Sequence, residues 1–177
     1  MAQATNHATN HDSRLTLQRT SMVSALILGT IAVDQAVKVL ARHQLQGREA
    51  ILYFDGMVRL QYAENAGAFL SFGSLLSSQV RFWASVAIAI FLTWLIWGVL
   101  IKRSQMDQMT SVGITLLVAG GYANLIDRFW RGSVTDFLNL GIGQLRTGIF
   151  NVADVVIVIG VALLLANSFL RKPQVQT

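Results

Sequence analysis

The chain has no cysteine. That excludes disulfides, thiolate catalysis and cysteine-ligated metals, and says nothing about redox compartment. Histidine is scarce too: His7 and His11 lie in a polar N-terminal stretch, His43 stands apart, and no metal or other cofactor is expected. Charge is sparse. Asp, Glu, Lys and Arg make up 13% of the residues, against about 25% in ordinary globular domains. The net charge of +5 comes without a basic run or a basic helix face. It therefore reads as residues flanking membrane spans and facing anionic lipid, and nucleic acid is not an expected partner.

What the chain has is apolar length. Its 177 residues are 53% apolar, and they contain four apolar runs of roughly 20 residues, the length that crosses a bilayer. The expected fold class is an all-α membrane protein: four transmembrane helices with a small extracytoplasmic β-structure between helices 1 and 2. Residues 1–20 are polar and expected to form a disordered cytoplasmic tail. Residues 21–172 are expected to form one domain, with spans at about 22–41, 80–101, 109–126 and 149–170. Arg14 and Arg19 before SMVSALILGTIAV resemble the start of a secretory signal peptide. The run continues through Asp34–Leu40 with no cleavage site, so it is read as the first span.

Four spans put both termini on one side. Lys102 and Arg103 in a short loop, with Arg14, Arg19, Arg171 and Lys172, place that side in the cytoplasm. In the connection 42–79, ILYFDGMVRLQYA shows period-2 character around a turn at Asp55–Gly56, which predicts two short strands on the membrane surface. Asn65 and Gly67 follow among small residues; they suit a polar or close backbone contact with a ligand, or an ordinary loop turn. Trp83, Trp94 and Trp97 are read as interfacial anchors.

The polar residues concentrate in Gly120–Asp154, between two apolar segments. Ionisable groups there are costly and mark a functional site. Asn124 and Asp127 are i,i+3 at the end of the third span; Asn151 and Asp154 are i,i+3 in the first turn of the fourth, where the helix dipole favours a carboxylate. Asp34 and Lys38, i,i+4 in the first span, are either a paired charge near its end or a support for the site. Two close carboxylates share a proton, so that one activates water while the other protonates a carbonyl. Asp154 is the strongest candidate. Asp136, flanked by Val134 and Phe137, is the preferred partner, and Asp127 beside Arg128 stays open. Structural ion pairing of all three is the bland alternative.

Five blocks then stand in order: DQAVK (34–38), ENAGAF (64–69), GGYANLIDR (120–128), VTDF (134–137) and FNVAD (150–154). Together they resemble lipoprotein signal peptidase (signal peptidase II), an aspartyl membrane peptidase family of bacteria, over most of the chain beyond its first 20 residues. The resemblance implies cleavage of diacylglyceryl-modified prolipoproteins on the N-terminal side of the lipid-bearing cysteine, in the cytoplasmic (inner) membrane with the site near its outer face. It implies a catalytic pair Asp136 and Asp154, with Asn65, Gly67, Asn124, Asn151, Ala153, Arg128, Asp127, Asp34 and Lys38 as binding and supporting residues. The expected partners are the lipidated substrate and membrane lipid, and a monomer is expected. The surface β-segment and the 64–78 connection are expected to close over the substrate. Tyr122, Ala123 and the run NAGAFLSF depart from the usual pattern and bear on substrate preference or inhibitor fit. The rival readings are a proton-coupled transporter, whose acids should lie mid-span, and an inactive peptidase-like scaffold.

Overall fold

The computed structural model describes residues 2–66, 76–102 and 106–170. In chain order the elements are α1 (Ala2–Leu45), β1 (Ile51–Tyr53), β2 (Val58–Asn65), α2 (Ser78–Lys102), α3 (Gln108–Arg131), β3 (Val134–Ile142), β4 (Leu145–Arg146) and α4 (Val152–Leu170). Four helical stretches are long and apolar enough to cross a membrane: Thr20–Leu45, Ser78–Ile101, Gln108–Arg131 and Val152–Leu170. The expected spans are all there, and α3 runs on past Asp127 to Arg131. α1 begins at Ala2, so the stretch expected as a disordered tail is helical. Residues 2–28 hold no glycine or proline that would interrupt a helix.

The central helix is α3, which packs against α1, α2 and α4. Of its span 44% is buried, against 17% or less of each other span. Its ends are fixed by short-range chemistry. The Asp107 carboxylate accepts from the Thr110 amide at 2.9 Å, and Gly132, at φ 76°, turns the chain with its N–H donating to the Arg128 carbonyl. One apolar cluster joins Leu92 of α2 to Val118 and Leu125 of α3. Trp83, Trp94 and Trp97 point outward from α2 and are each more than 60% exposed. In water such a face would aggregate; in a bilayer it is the ordinary lipid-facing side.

α3 and α4 approach closely because Gly120 has no side chain. A Cβ there would stand 2.5 Å from the Ala153 carbonyl oxygen and 2.7 Å from Ile157 Cγ1. Gly120→Ala is therefore expected to push the first turn of α4 away and to lower about a hundredfold any activity that depends on its placement, the effect of misplacing a reacting group by about 1 Å. Gly121→Ala, whose Cβ meets only the end of the Leu92 side chain, should keep most of it. Turnover of the two purified variants at matched folded fraction checks this.

The alternation of the helices brings Leu45, Ser78, Arg131 and Val152 to one end of the bundle, and the β-structure sits there. It is larger than expected. The connection 128–148 supplies half of it, and the four strands form one antiparallel sheet in the order β1-β2-β3-β4. The turn expected at Asp55–Gly56 is present, with Phe54 and Asp55 both at positive φ. A bulge between Leu60 and Ala63 shifts the β2–β3 register, so that Ala63 faces Asp136 and Asn65 faces Val134. Ala41 and Leu45 of α1 pack on Phe137 of β3 beneath this sheet.

Candidate active site

The site grows from the N-terminus of α4. Asn151 stands just before the helix. Its side-chain oxygen accepts from the Asp154 amide at 3.0 Å, and the Asp154 carboxylate accepts from the Asn151 amide at 3.1 Å. This is a reciprocal cap, which satisfies two backbone N–H groups and fixes both side chains. The remaining nitrogen of Asn151 is then free to point elsewhere, and it donates to Asp136 Oδ1 at 2.6 Å. One asparagine therefore bridges the two acids.

Asp136 arrives on β3, 3% exposed. Its other oxygen, Oδ2, accepts from the Asn65 amide nitrogen at 3.1 Å. Asn65 is the diagonal neighbour of Asp136 on the same sheet face, a contact that the bulge in β2 creates. Asp154 Oδ1 accepts from Asn124 Nδ2 at 2.9 Å. Each acid is thus held by two N–H donors, and Asn151 contributes to both pairs.

Behind the acids lies a buried charge network. Lys38 is fully buried, and its ammonium meets Asp34 Oδ2 at 2.8 Å and Asp127 Oδ2 at 3.1 Å. It also donates to Asn124 Oδ1 at 2.8 Å. Three donors meet three acceptors, as a buried ammonium requires. Lys38 thereby turns the amide of Asn124 so that its nitrogen faces Asp154. Asp34 Oδ1 accepts from the Ala153 amide at 2.9 Å, which ties α1 to an otherwise orphan N–H of α4. Asp127 Oδ2 accepts from the Thr135 amide at 3.2 Å, which sets the position of β3 one residue before Asp136. Asp127 is therefore tied to the network behind the acids, in contact with Lys38 and Thr135.

Arg128 is half-buried in the last turn of α3, with the charges of Asp154, Asp136 and Asp127 around it. It also lines a cavity of about 220 Å³ between α2 and α3, with Ala66, Arg81, Phe82 and Phe129. Gly67, Arg103, Arg171, Lys172 and most of the 64–78 connection fall outside the described residues. Asn139, close to the cluster in sequence, is not part of it. It accepts from Arg146 at 2.6 Å and donates to the Thr147 carbonyl at 2.6 Å, which closes the β3–β4 hairpin.

Sequence reasoning missed Thr135, Gln35 and Arg42. Thr135 takes a bond from Arg42 at 2.9 Å, and Gln35 donates to the Ala123 carbonyl at 3.0 Å. Both Gln35 and Thr135 stand inside the recognised blocks. Arg42 lies one turn beyond Lys38, where only the tertiary contact distinguishes it from a span-flanking charge. Burial pushes the Asp136 carboxyl up to about 6; the amides of Asn151 and Asn65 oppose this, and the nearby charge of Asp154 adds to it.

The family model described as signal peptidase (SPase) II matches residues 26–170. The lipoprotein signal peptidase of Salmonella typhi is 33% identical over 150 residues, covering 84% of this chain and 88% of that protein. The lipoprotein signal peptidase of Geobacter sulfurreducens is 33% identical over 142 residues, covering 80% and 87%. A bacterial membrane enzyme structure solved by the in meso method superposes with a TM-score of 0.70 at 26% identity, covering 86% of this chain and 95% of that one. The chain is thus similar to membrane enzymes along nearly its whole length, and it is a multi-pass membrane protein.

Proposed function

Because the chain belongs to the signal peptidase II family, an aspartic-type peptidase family, we propose that it removes signal peptides from prolipoproteins with Asp136 and Asp154 as its catalytic pair. The observation that carries the residue assignment is Asn151, which binds both carboxylates at once. The cut falls N-terminal to the diacylglyceryl-modified cysteine. The enzyme lies in the cytoplasmic membrane with its termini inside and its acids near the outer face, where a lipid-anchored cleavage site is presented.

Chemically, the pair shares one proton. Burial leaves that proton on Asp136, and the first turn of α4 favours the negative charge on Asp154. Asp154 takes a proton from a water whose oxygen adds to the scissile carbonyl carbon. Asp136 gives its proton to the carbonyl oxygen. The leaving nitrogen then takes the proton from Asp154, the C–N bond breaks, and one hydroxyl of the tetrahedral intermediate returns its proton to Asp136 as the new carboxyl forms. The cavity beside Arg128 lies next to the acids and is open to a stretch of peptide. The transporter alternative fits less well. The acids gather where the sheet meets the helix ends, whereas a relay across the bilayer needs them along the spans.

The test is gel-shift cleavage of a lipidated prolipoprotein by the purified protein in detergent. Failure on a substrate that an established signal peptidase II cuts would leave the scaffold reading. The same assay carries a pH prediction. Asp136, raised to about 6, holds its proton below that pH and loses it above. Turnover per free enzyme, kcat/KM, is therefore expected to fall as pH rises through about 6. In kcat the fall should lie at higher pH, because bound substrate excludes water and favours the neutral acid further. A kcat/KM that rises through this range would give Asp136 the role of base.

A further inference from the structure

The two hairpins of the sheet end side by side, away from the helices. The Gly141 amide donates to the Met57 carbonyl at 2.9 Å, joining the end of β3 to the β1–β2 turn. Six residues of β3 separate this tip from Asp136, or about 20 Å of extended strand. The tip is apolar and open: Phe54 is 76%, Ile142 70% and Leu145 85% exposed. Two guanidiniums lie at Gly56 in the β1–β2 turn of this tip. Arg146 donates to the Gly56 carbonyl at 3.0 Å. Arg59 lies over the same glycine, its terminal nitrogen 3.9 Å from where a Gly56 Cβ would be.

Among the described residues, neither guanidinium has a carboxylate within ion-pair distance, Asp55 of the same turn included; the ion pairs of the protein are those of Lys38. Arg59 Nε is shut off from solvent with no acceptor in the protein. Two cations held close together cost energy, and so does a buried donor without an acceptor. An anion brought from outside would relieve these costs. The exposed apolar ring decides which anion. In water, Phe54, Ile142 and Leu145 would be a liability; at a bilayer surface they insert beside the headgroups.

We propose that the tip of the sheet is a lipid-binding site, in which Arg59 and Arg146 clasp the phosphodiester of an anionic phospholipid while Phe54, Ile142 and Leu145 enter the bilayer. The tip then lays the sheet on the membrane and holds β3, which carries Asp136, at a set depth. The site is independent of the peptidase chemistry, and its readout needs no turnover.

The test uses the full-length protein in nanodiscs of equal parts phosphatidylcholine and phosphatidylglycerol, with lipid retention counted by native mass spectrometry on release. Wild type should retain phosphatidylglycerol in preference to phosphatidylcholine. Arg59→Gln, which loses no hydrogen bond seen in the structure, should retain about fivefold less, the factor for one basic residue at an anionic surface. Phe54→Trp supplies a second reading: the fluorescence it adds over wild type should be quenched by brominated acyl chains in these nanodiscs. Equal retention by wild type and Arg59→Gln overturns the proposal. So does displacement of the lipid by millimolar inorganic phosphate, which would mean a small-anion site. Added fluorescence that stays unquenched in Phe54→Trp overturns it as well and points to a protein partner or a second copy at the tip.

Discussion

Asp154→Asn and Asp136→Asn are each expected to lower prolipoprotein cleavage at least about a thousandfold, the contribution of a positioned acid or base. The structure also says what the substitutions do to the fold. In Asp136→Asn the new amide nitrogen must face Asn65 Nδ2 or Asn151 Nδ2, both donors. In Asp154→Asn it must face Asn124 Nδ2 or the Asn151 amide, again donors. Each variant therefore also loses one hydrogen bond and about 1–3 kcal/mol of stability. Thermal unfolding must accompany the assay, and activity is compared at matched folded fraction. Asp127→Asn is the control. Lys38 and the Thr135 amide both bind Asp127 Oδ2, so an asparagine can offer its oxygen there and turn its nitrogen away. It should keep activity within about tenfold, the effect of about 1.4 kcal/mol. If Asp127→Asn is dead and Asp136→Asn is active, the pair is Asp127 with Asp154, the assignment that residue chemistry alone left open.

Lys38→Met should be the most destabilising single change among the residues named here. Methionine is close to lysine in length and fills the space, but the ammonium that Asp34, Asp127 and Asn124 share is gone. Removing one partner of a buried ion network leaves the other charges uncompensated and costs about 3–5 kcal/mol. Activity should fall with stability, because Asn124 loses the contact that turns its nitrogen to Asp154, and Asp34 holds the Ala153 amide. A large drop in Tm in detergent is the expected result. An unchanged Tm would mean that lipid or water neutralises the acids, and the network would lose its structural role.

Much of this protein was legible without coordinates. The spans follow from local apolar length, because in a bilayer the backbone must satisfy itself within each helix. Ionisable residues in so apolar a chain stand out for the same reason, so Asp34, Lys38, Asp127, Asp136 and Asp154 could be picked from the sequence. The turn at Asp55–Gly56 was readable from turn chemistry. The tertiary structure decided what depends on partners distant in sequence. β3 reads as a connection, VTDFLNLGI, with no clean alternation, because its first four residues are all buried; its strand character comes from β2, some 70 positions earlier in the chain. Asn151 looks like a helix cap by itself, and only the arrival of β3 makes it a bridge between two acids. Lys38 has a helical partner in Asp34, but its bond to Asn124 spans 86 positions, and the bond from Ala153 to Asp34 spans 119. Periodicity and composition report the neighbours along a chain. The pairing of buried polar groups is set by which helix ends the fold gathers in one place.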